Sequence, residues 1–232
     1  MEKTLKITNV LSDPTRYSIY EFITKRHKDV TVQEIAEHFD IHPNVARLHL
    51  SKLEDVNMLV SETKKTGKGG RPSRLYRLSE KVIQLNFPYR DYQLLAKIAL
   101  ESLFSLGESA KEALYETGKR FGTEYMESEI AKRHLTEELT FEQKLEIFKD
   151  AAELAGFSPE FEYDKEESVI YLQIYNCPFK ELAHSHYETV CPTHRQFLRG
   201  MFESLFGPVT LTEKENIVDG CDSCSYKAKV SN

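Results

Sequence analysis

The apolar positions of the chain change period several times, and each change marks an element. Val32, Ile35, Ala36 and Phe39 recur at i, i+3, i+4 and i+7, the stripe of a short amphipathic helix. Thr31 before it suits an N-cap, and Glu34 three residues on completes a capping box. Asp40-Ile41-His42 leaves room only for a turn, and Pro43 fits the first position of a second helix, where its missing N–H is not needed. In that helix Ala46, His49, Leu50 and Leu53 fall on one side, facing the first helix. Asn44, Arg47, Leu48 and Ser51 fall on the other. Met58-Leu59-Val60 then enters a strand. Gly67, Gly69, Gly70 and Pro72 punctuate a turn, and a two-stranded ribbon closes at Leu78. Upstream, Asp13-Pro14 opens a further helix carrying Tyr17, Ile19, Tyr20, Phe22 and Ile23, against which Leu5, Ile7 and Val10 can pack. This predicts a winged helix-turn-helix over residues 1–85.

Residues 86–232 have a different texture. Tyr89 to Leu106 carries a long stripe of Leu95, Ile98, Ala99, Leu103 and Leu106, and Gly107 separates it from a charged helix running from Glu108 to about Arg133. Thr140 with Gln143 caps a third helix that Gly156 ends. Phe161 to Tyr163 and Val169 to Tyr175 alternate as a hairpin, Glu181 to Phe206 is helical with an interruption expected near Cys191-Pro192, and two strands follow at Pro208–Thr212 and Ser225–Val230. The expected fold is mostly α with an α+β C-terminal part. It consists of an N-terminal winged helix-turn-helix, dimerisation helices led by Tyr89–Leu106, and C-terminal helices on a small antiparallel sheet.

Charge separates the two halves. The whole chain of 232 residues carries a net −6. Residues 1–85 hold 15 Lys and Arg against 11 Asp and Glu, a net of +4, and the remainder holds 16 against 26, a net of −10. A basic module joined to an acidic one points to nucleic acid as the partner of the first. No apolar run approaches the roughly 20 residues that span a bilayer, and the N-terminus lacks the apolar core of a signal peptide, so a cytoplasmic protein without membrane contact is expected.

Two constellations carry chemistry. The outward face of the second helix offers an amide (Asn44), a guanidinium (Arg47), an apolar tip (Leu48) and a hydroxyl (Ser51), groups that can read base edges in a major groove. In the ribbon, Lys64, Lys65, Lys68, Arg71 and Arg74 supply cations for the phosphates of a double-stranded operator. Such modules read two-fold sites, so a homodimer is expected. The second constellation is the cysteines. Cys177, Cys191, Cys221 and Cys224 all lie in the last 56 residues, each expected near an element boundary where loops converge. Four soft ligands suit zinc or an iron–sulfur cluster, with His184, His186, His194 and Asp222 as neighbours able to substitute. An organic effector in the α+β part is the alternative. Enzyme chemistry has little to stand on. Cys191 with His194 lacks an orienting acid, and the Gly-Lys-Gly-Gly of the ribbon lacks the Lys-Ser/Thr and the strand–helix setting of a phosphate loop.

The segments LSDPTRYSIYEFI, HPNVARLHLSKLED and GRPSRLYRLS resemble the DNA-binding domain of ArsR-like and DeoR-like bacterial regulators. Asn-Val-Ala-Arg-Leu-His-Leu combined with Gly-Arg-Pro-Ser-Arg-Leu-Tyr-Arg-Leu is most similar to the SufR-type iron–sulfur cluster-binding repressors. The resemblance implies operator binding by the first third of the chain. Through Asn176–Phe179, Val190–Cys191 and Cys224–Tyr226 it also implies that Cys177, Cys191 and Cys224 ligate a cluster, with Cys221 as a possible fourth ligand whose spacing matches less well.

Overall fold

The capping boxes form where the sequence places them, while Gly67, Gly69, Gly70 and Pro72 lie outside the described residues. In the computed structural model, which describes residues 2–64, 73–134 and 138–230, α1 (Glu2–Leu11) and α2 (Pro14–Arg26) lead into a short strand β1 (Val30–Thr31), then α3 (Val32–His38) and α4 (Pro43–Asp55). Thr31 accepts the Glu34 N–H, and the Glu34 carboxylate accepts the Thr31 N–H in return, so two otherwise orphaned donors at the start of α3 are satisfied. Pro43 is at the start of α4. The ribbon follows as β2 (Leu59–Lys64) and β3 (Ser73–Leu78), antiparallel, with β1 added to the far edge of β3 in the order β1-β3-β2. Ile19, Ile23, Ile35, Ala46, Leu50, Leu53, Leu59 and Tyr76 form the core of this unit, which spans Met1–Arg90.

The second compact unit spans Asp91–Asn232. It contains α5 (Tyr92–Phe104), α6 (Glu108–Ala131), α7 (Phe141–Leu154), the hairpin β4 (Pro159–Asp164) and β5 (Val169–Ile174), α8 (Lys180–Phe206), β6 (Val209–Glu215), a 3-10 turn at Ile217–Asp219 and β7 (Cys224–Val230). The four strands are antiparallel in the order β4-β5-β7-β6. Ile170, Leu172 and Ile174 of β5 pair with Ala228, Tyr226 and Cys224 of β7 and turn the same face of the sheet inward. That face meets Phe148 of α7 and Leu198, Met201 and Phe202 of α8.

Two boundaries differ from the sequence expectation. The α5 helix is shorter than Tyr89–Leu106, starting behind an Asp91 cap and stopping before Leu106. The break in α8 lies at His186 (φ −141°, ψ 46°) and not at Cys191-Pro192. A proline inside a helix leaves the carbonyl four residues back without its donor. Here that carbonyl belongs to Glu188, and the Tyr115 hydroxyl of α6 donates to it at 3.1 Å. The helix therefore runs through Pro192, and Cys191, expected at a boundary, sits inside α8.

The long helices α6 and α8 approach backbone to backbone. A Cβ on Gly118 would stand 2.8 Å from the Thr193 carbonyl oxygen, and Cβ atoms on Gly122 and Gly200 would collide with the carbonyls of Phe197 and Lys119. The α5 helix is at the other extreme. None of its residues is buried, and Tyr92, Leu94, Leu95 and Ile98 are all more than half exposed.

Candidate functional site

The first candidate surface lies on the N-terminal unit. Ala46, His49, Leu50 and Leu53 are buried, so the phase of α4 is fixed and its opposite face must be open. Asn44, Arg47 and Leu48 are exposed and Ser51 is half-buried. Arg47 Nη1 donates to Asn44 Oδ1 at 3.1 Å, which holds the two polar tips side by side. Beside them a groove of about 630 Å³ is lined by Gln33, Pro43, Arg47, Thr63, Ser73 and Arg74 among others. Gln33 and Thr63 were not legible as site residues. Their only sequence signal is a polar side chain on the exposed side of α3 and of β2.

The cations of the ribbon do not all stand free. Lys64 is exposed at the end of β2. Lys65, Lys68 and Arg71 lie outside the described residues. Arg74, expected on a phosphate, instead holds Glu54 in the last turn of α4 with two bonds, 2.7 and 2.9 Å, and donates to Ser61 Oγ at 2.8 Å. Ser61 Oγ in turn donates to Glu54 at 2.6 Å, and the Arg74 guanidinium lies over the Tyr76 ring. This fork fixes the ribbon to α4. The pair is half exposed, so its net contribution to stability is at most about 1 kcal/mol. Glu54→Gln is therefore expected to leave folding nearly unchanged while releasing a cation toward the groove. Non-specific duplex affinity should rise and the salt slope should steepen by about one counterion. An unchanged slope in a filter-binding titration would show that Arg74 cannot reach the duplex even when free.

The second candidate surface lies in the C-terminal unit. Cys177 follows β5, Cys191 is inside α8 and Cys224 opens β7. With His194 they line one small cavity of about 10 Å³, together with Asn216, Ile217 and Tyr226. Cys221 is half-buried in the preceding loop and is not among the lining residues. Cys177 Sγ lies 3.6 Å from His194 Nδ1, and Cys224 Sγ accepts the Ile217 N–H at 3.4 Å. His194 is packed between Phe157 and Phe179, with both ring centroids 5.1 Å away. Its Nε2 is buried with no hydrogen-bond partner. Among the described residues, no three His, Cys, Asp or Glu side chains already stand at metal-ligand spacing. Of the other neighbours named from the sequence, His186 faces α5, its Nε2 3.1 Å from Glu101 Oε1 at an angle too poor for a hydrogen bond and its ring 4.5 Å from that of Phe104.

Burial sets the protonation of this cluster. Desolvation pushes the Cys177 thiol up to about 12, only partly offset by the Phe179 N–H, and raises Cys191 and Cys224 as well. In the metal-free chain all three are neutral thiols at neutral pH. Desolvation also pushes His194 down from 6.5 to about 4. The unfolded chain therefore takes up a proton below about pH 6.5 that the folded chain refuses until about pH 4. Stability is fully present above that window and is lost as pH falls through it, by roughly 3 kcal/mol. The urea midpoint of the metal-free protein should fall between pH 7 and pH 5, and His194→Gln should flatten that slope. A slope that is the same in both proteins would mean that other groups carry the acid sensitivity. His49, likewise depressed by burial, acts in the same direction in the N-terminal unit.

Comparison with known proteins locates the first surface. A helix-turn-helix domain family matches residues 11–62, the segment from the end of α1 to the middle of β2. No curated protein matches the chain in sequence. Similar solved structures include a trafficking protein particle complex subunit 3 from Naegleria fowleri covalently bound to palmitic acid, at 16% identity over 61% of this chain and 91% of that one, with a TM-score of 0.43. The phenol-responsive sensory domain of the transcription activator PoxR with phenol is similar at 19% identity over 79% and 89%, with a TM-score of 0.45. Bacillus subtilis PadR in complex with operator DNA is similar at 13% identity over 62% and 93%, with a TM-score of 0.26. All three are distant in sequence and in shape. No helix among the described residues is long and apolar enough to cross a membrane.

Proposed function

We propose that the chain is a DNA-binding transcriptional regulator whose C-terminal cysteines hold a metal centre coupled to operator affinity. The observation that carries the DNA reading is the exposed Asn44–Arg47–Leu48 face of α4, beside an open groove, within a segment that matches a helix-turn-helix domain. The α4 helix enters a major groove, and Lys64 at the tip of β2 faces the flanking phosphates. A second copy covers the exposed apolar face of α5. Tyr92, Leu94, Leu95 and Ile98 together are an apolar surface that burial against a partner would stabilise, and a two-fold operator requires two reading helices.

Cys177, Cys191 and Cys224 are the residues to hold the metal. Their thiols and the His194 imidazole are soft donors around one cavity, and Cys224 already accepts an N–H as a bound thiolate would. The sequence resemblance favours an iron–sulfur cluster, with Cys221 as the further ligand. The cavity volume favours a single zinc ion, because about 10 Å³ is roughly the space of one water. A bound metal would cross-link α8 to the loops before it and before β7. The chain's own route onward runs along α8 to the kink at His186, where Phe104 and Glu101 of α5 make contact, and so to the dimer helix. A coupling of about 1–3 kcal/mol along this route changes operator affinity about 5- to 150-fold.

The test is to purify the full chain without oxygen, assay iron, sulfide and zinc, and select duplexes from a random pool with and without the metal. An inverted repeat bound by the dimer, with an affinity that changes when the metal is removed, is expected. Failure to enrich any sequence refutes the DNA reading. An enriched sequence bound equally well by metal-free and metal-loaded protein refutes the coupling.

A further inference from the structure

We infer that His194, and not Cys221, completes the metal site, giving a Cys₃His set with Cys177, Cys191 and Cys224 for one tetrahedral ion of the zinc type. The inference deepens the metal reading above and rests on it.

The first observation is a distance. Zinc binds cysteine sulfur at about 2.3 Å and histidine nitrogen at about 2.0–2.1 Å, so two such ligands at a tetrahedral angle stand about 3.6 Å apart. Cys177 Sγ and His194 Nδ1 are separated by 3.6 Å. One edge of the tetrahedron is therefore already in place. The second observation is the helix. Because α8 breaks at His186 and continues through Pro192, Cys191 and His194 lie three residues apart on one continuous turn and share a face. Both line the small cavity, as do Cys177 and Cys224, whereas Cys221 does not.

The third observation is the state of the imidazole. His194 is only 3% exposed, packs against two aromatic rings, and its Nε2 has no hydrogen-bond partner among the described residues. A polar ring buried with one nitrogen unpartnered and the other on a weak thiol contact is costly, and an apolar residue of similar shape would pack there more cheaply. A metal bond at Nδ1 would replace the weak thiol contact there with a strong one, while Nε2 keeps the proton of the neutral ring. The three sulfurs do not yet converge on one point. Each can be swung by rotation about its single Cα–Cβ bond, and Cys177, in the segment after β5, and Cys224, at the start of β7, line the same cavity as the imidazole.

The experiment uses the full-length chain with zinc and with cobalt(II) as a spectroscopic stand-in. The expected result is one metal per chain, with the visible bands and sulfur charge-transfer absorption of tetrahedral cobalt bound by three thiolates. Cys221→Ser keeps that spectrum and the zinc affinity. His194→Gln loses more than about 100-fold in affinity, beyond the 10- to 100-fold that an outer-shell partner costs. His194→Cys restores tight binding with stronger charge-transfer absorption. Alkylation of the wild-type protein needs no variant to fold: zinc should shield Cys177, Cys191 and Cys224 while Cys221 stays reactive. Loss of the spectrum in Cys221→Ser, or shielding of Cys221 by zinc, overturns the assignment and leaves a four-cysteine site. Iron and acid-labile sulfide in the anaerobic protein overturn it in favour of a cluster. A wild-type chain that binds neither zinc, cobalt nor iron refutes the metal reading itself.

Discussion

Gly122→Ala is expected to remove most of the stability of the C-terminal unit. The added methyl would be driven into the Phe197 carbonyl oxygen, with the carbonyl carbon at 2.8 Å and Cα at 3.0 Å, and none of these is the end of a side chain that could swing away. The α6 helix would have to withdraw from α8 along the contact made by Gly118, Gly122 and Gly200, and the Thr123 hydroxyl would lose the Gly200 carbonyl it reaches at 3.4 Å. Overpacking a tight core costs about 1–3 kcal/mol where side chains can adjust and more where backbone must move, so a loss of 3 kcal/mol or above is expected. Gly220→Ala is the control. A Cβ there meets open space, and the penalty is only that of an alanine in the left-handed region (φ +91°, ψ 11°), about 1 kcal/mol. Urea unfolding of the two variants should separate them clearly. If Gly122→Ala unfolds within 1 kcal/mol of wild type, the close approach of α6 and α8 is wrong. Because Thr193 packs on Gly118 and neighbours His194, a surviving Gly122→Ala protein should also bind zinc more weakly.

This contact shows what the sequence could and could not disclose. Thr31 with Glu34, Thr140 with Gln143 and Pro43 were legible because a cap acts within four residues of itself, and both boxes form. The face of α4 was legible because four apolar positions fixed its phase. Gly118 and Gly122, four apart on a charged helix, were the one local hint of a backbone contact, and their partner Gly200 lies far along the chain. The pairing of Arg74 was hidden for the same reason. Its partner Glu54 is 20 residues away on another element, and a run of cations looks alike whether or not an acid waits across the turn. The proline at 192 looked like a break because its repair, a tyrosine hydroxyl from α6, is tertiary. The clustering of Cys177, Cys191 and Cys224 was foreseeable only as a tendency of late cysteines. His194 was one of several neighbours named from the sequence, and its place beside Cys191 follows from their i, i+3 spacing once α8 is continuous.

Arg47→Ala is expected to abolish operator discrimination while leaving general duplex affinity almost intact, and Lys64→Ala is expected to do the reverse. Arg47 stands on the outward face of a helix whose other face is fully buried, with its guanidinium already presented beside the Asn44 amide. A bidentate arginine–guanine contact distinguishes the right base from the wrong one by about 1–3 kcal/mol, and a dimer makes that contact twice. The selected sequence should therefore bind Arg47→Ala roughly 30-fold to roughly 25,000-fold more weakly, within about 2–6 kcal/mol, while a scrambled duplex binds as before. Lys64 faces no base in this arrangement. Its removal should weaken all duplexes alike and lower the salt slope by about one counterion per copy. Asn44→Ala offers the internal check. If Asn44 merely props Arg47, the double variant loses no more than Arg47→Ala alone, whereas an independent adenine contact makes the two losses add. Equal loss on selected and scrambled duplexes in Arg47→Ala would mean that this face meets phosphate and that α4 does not read sequence at all.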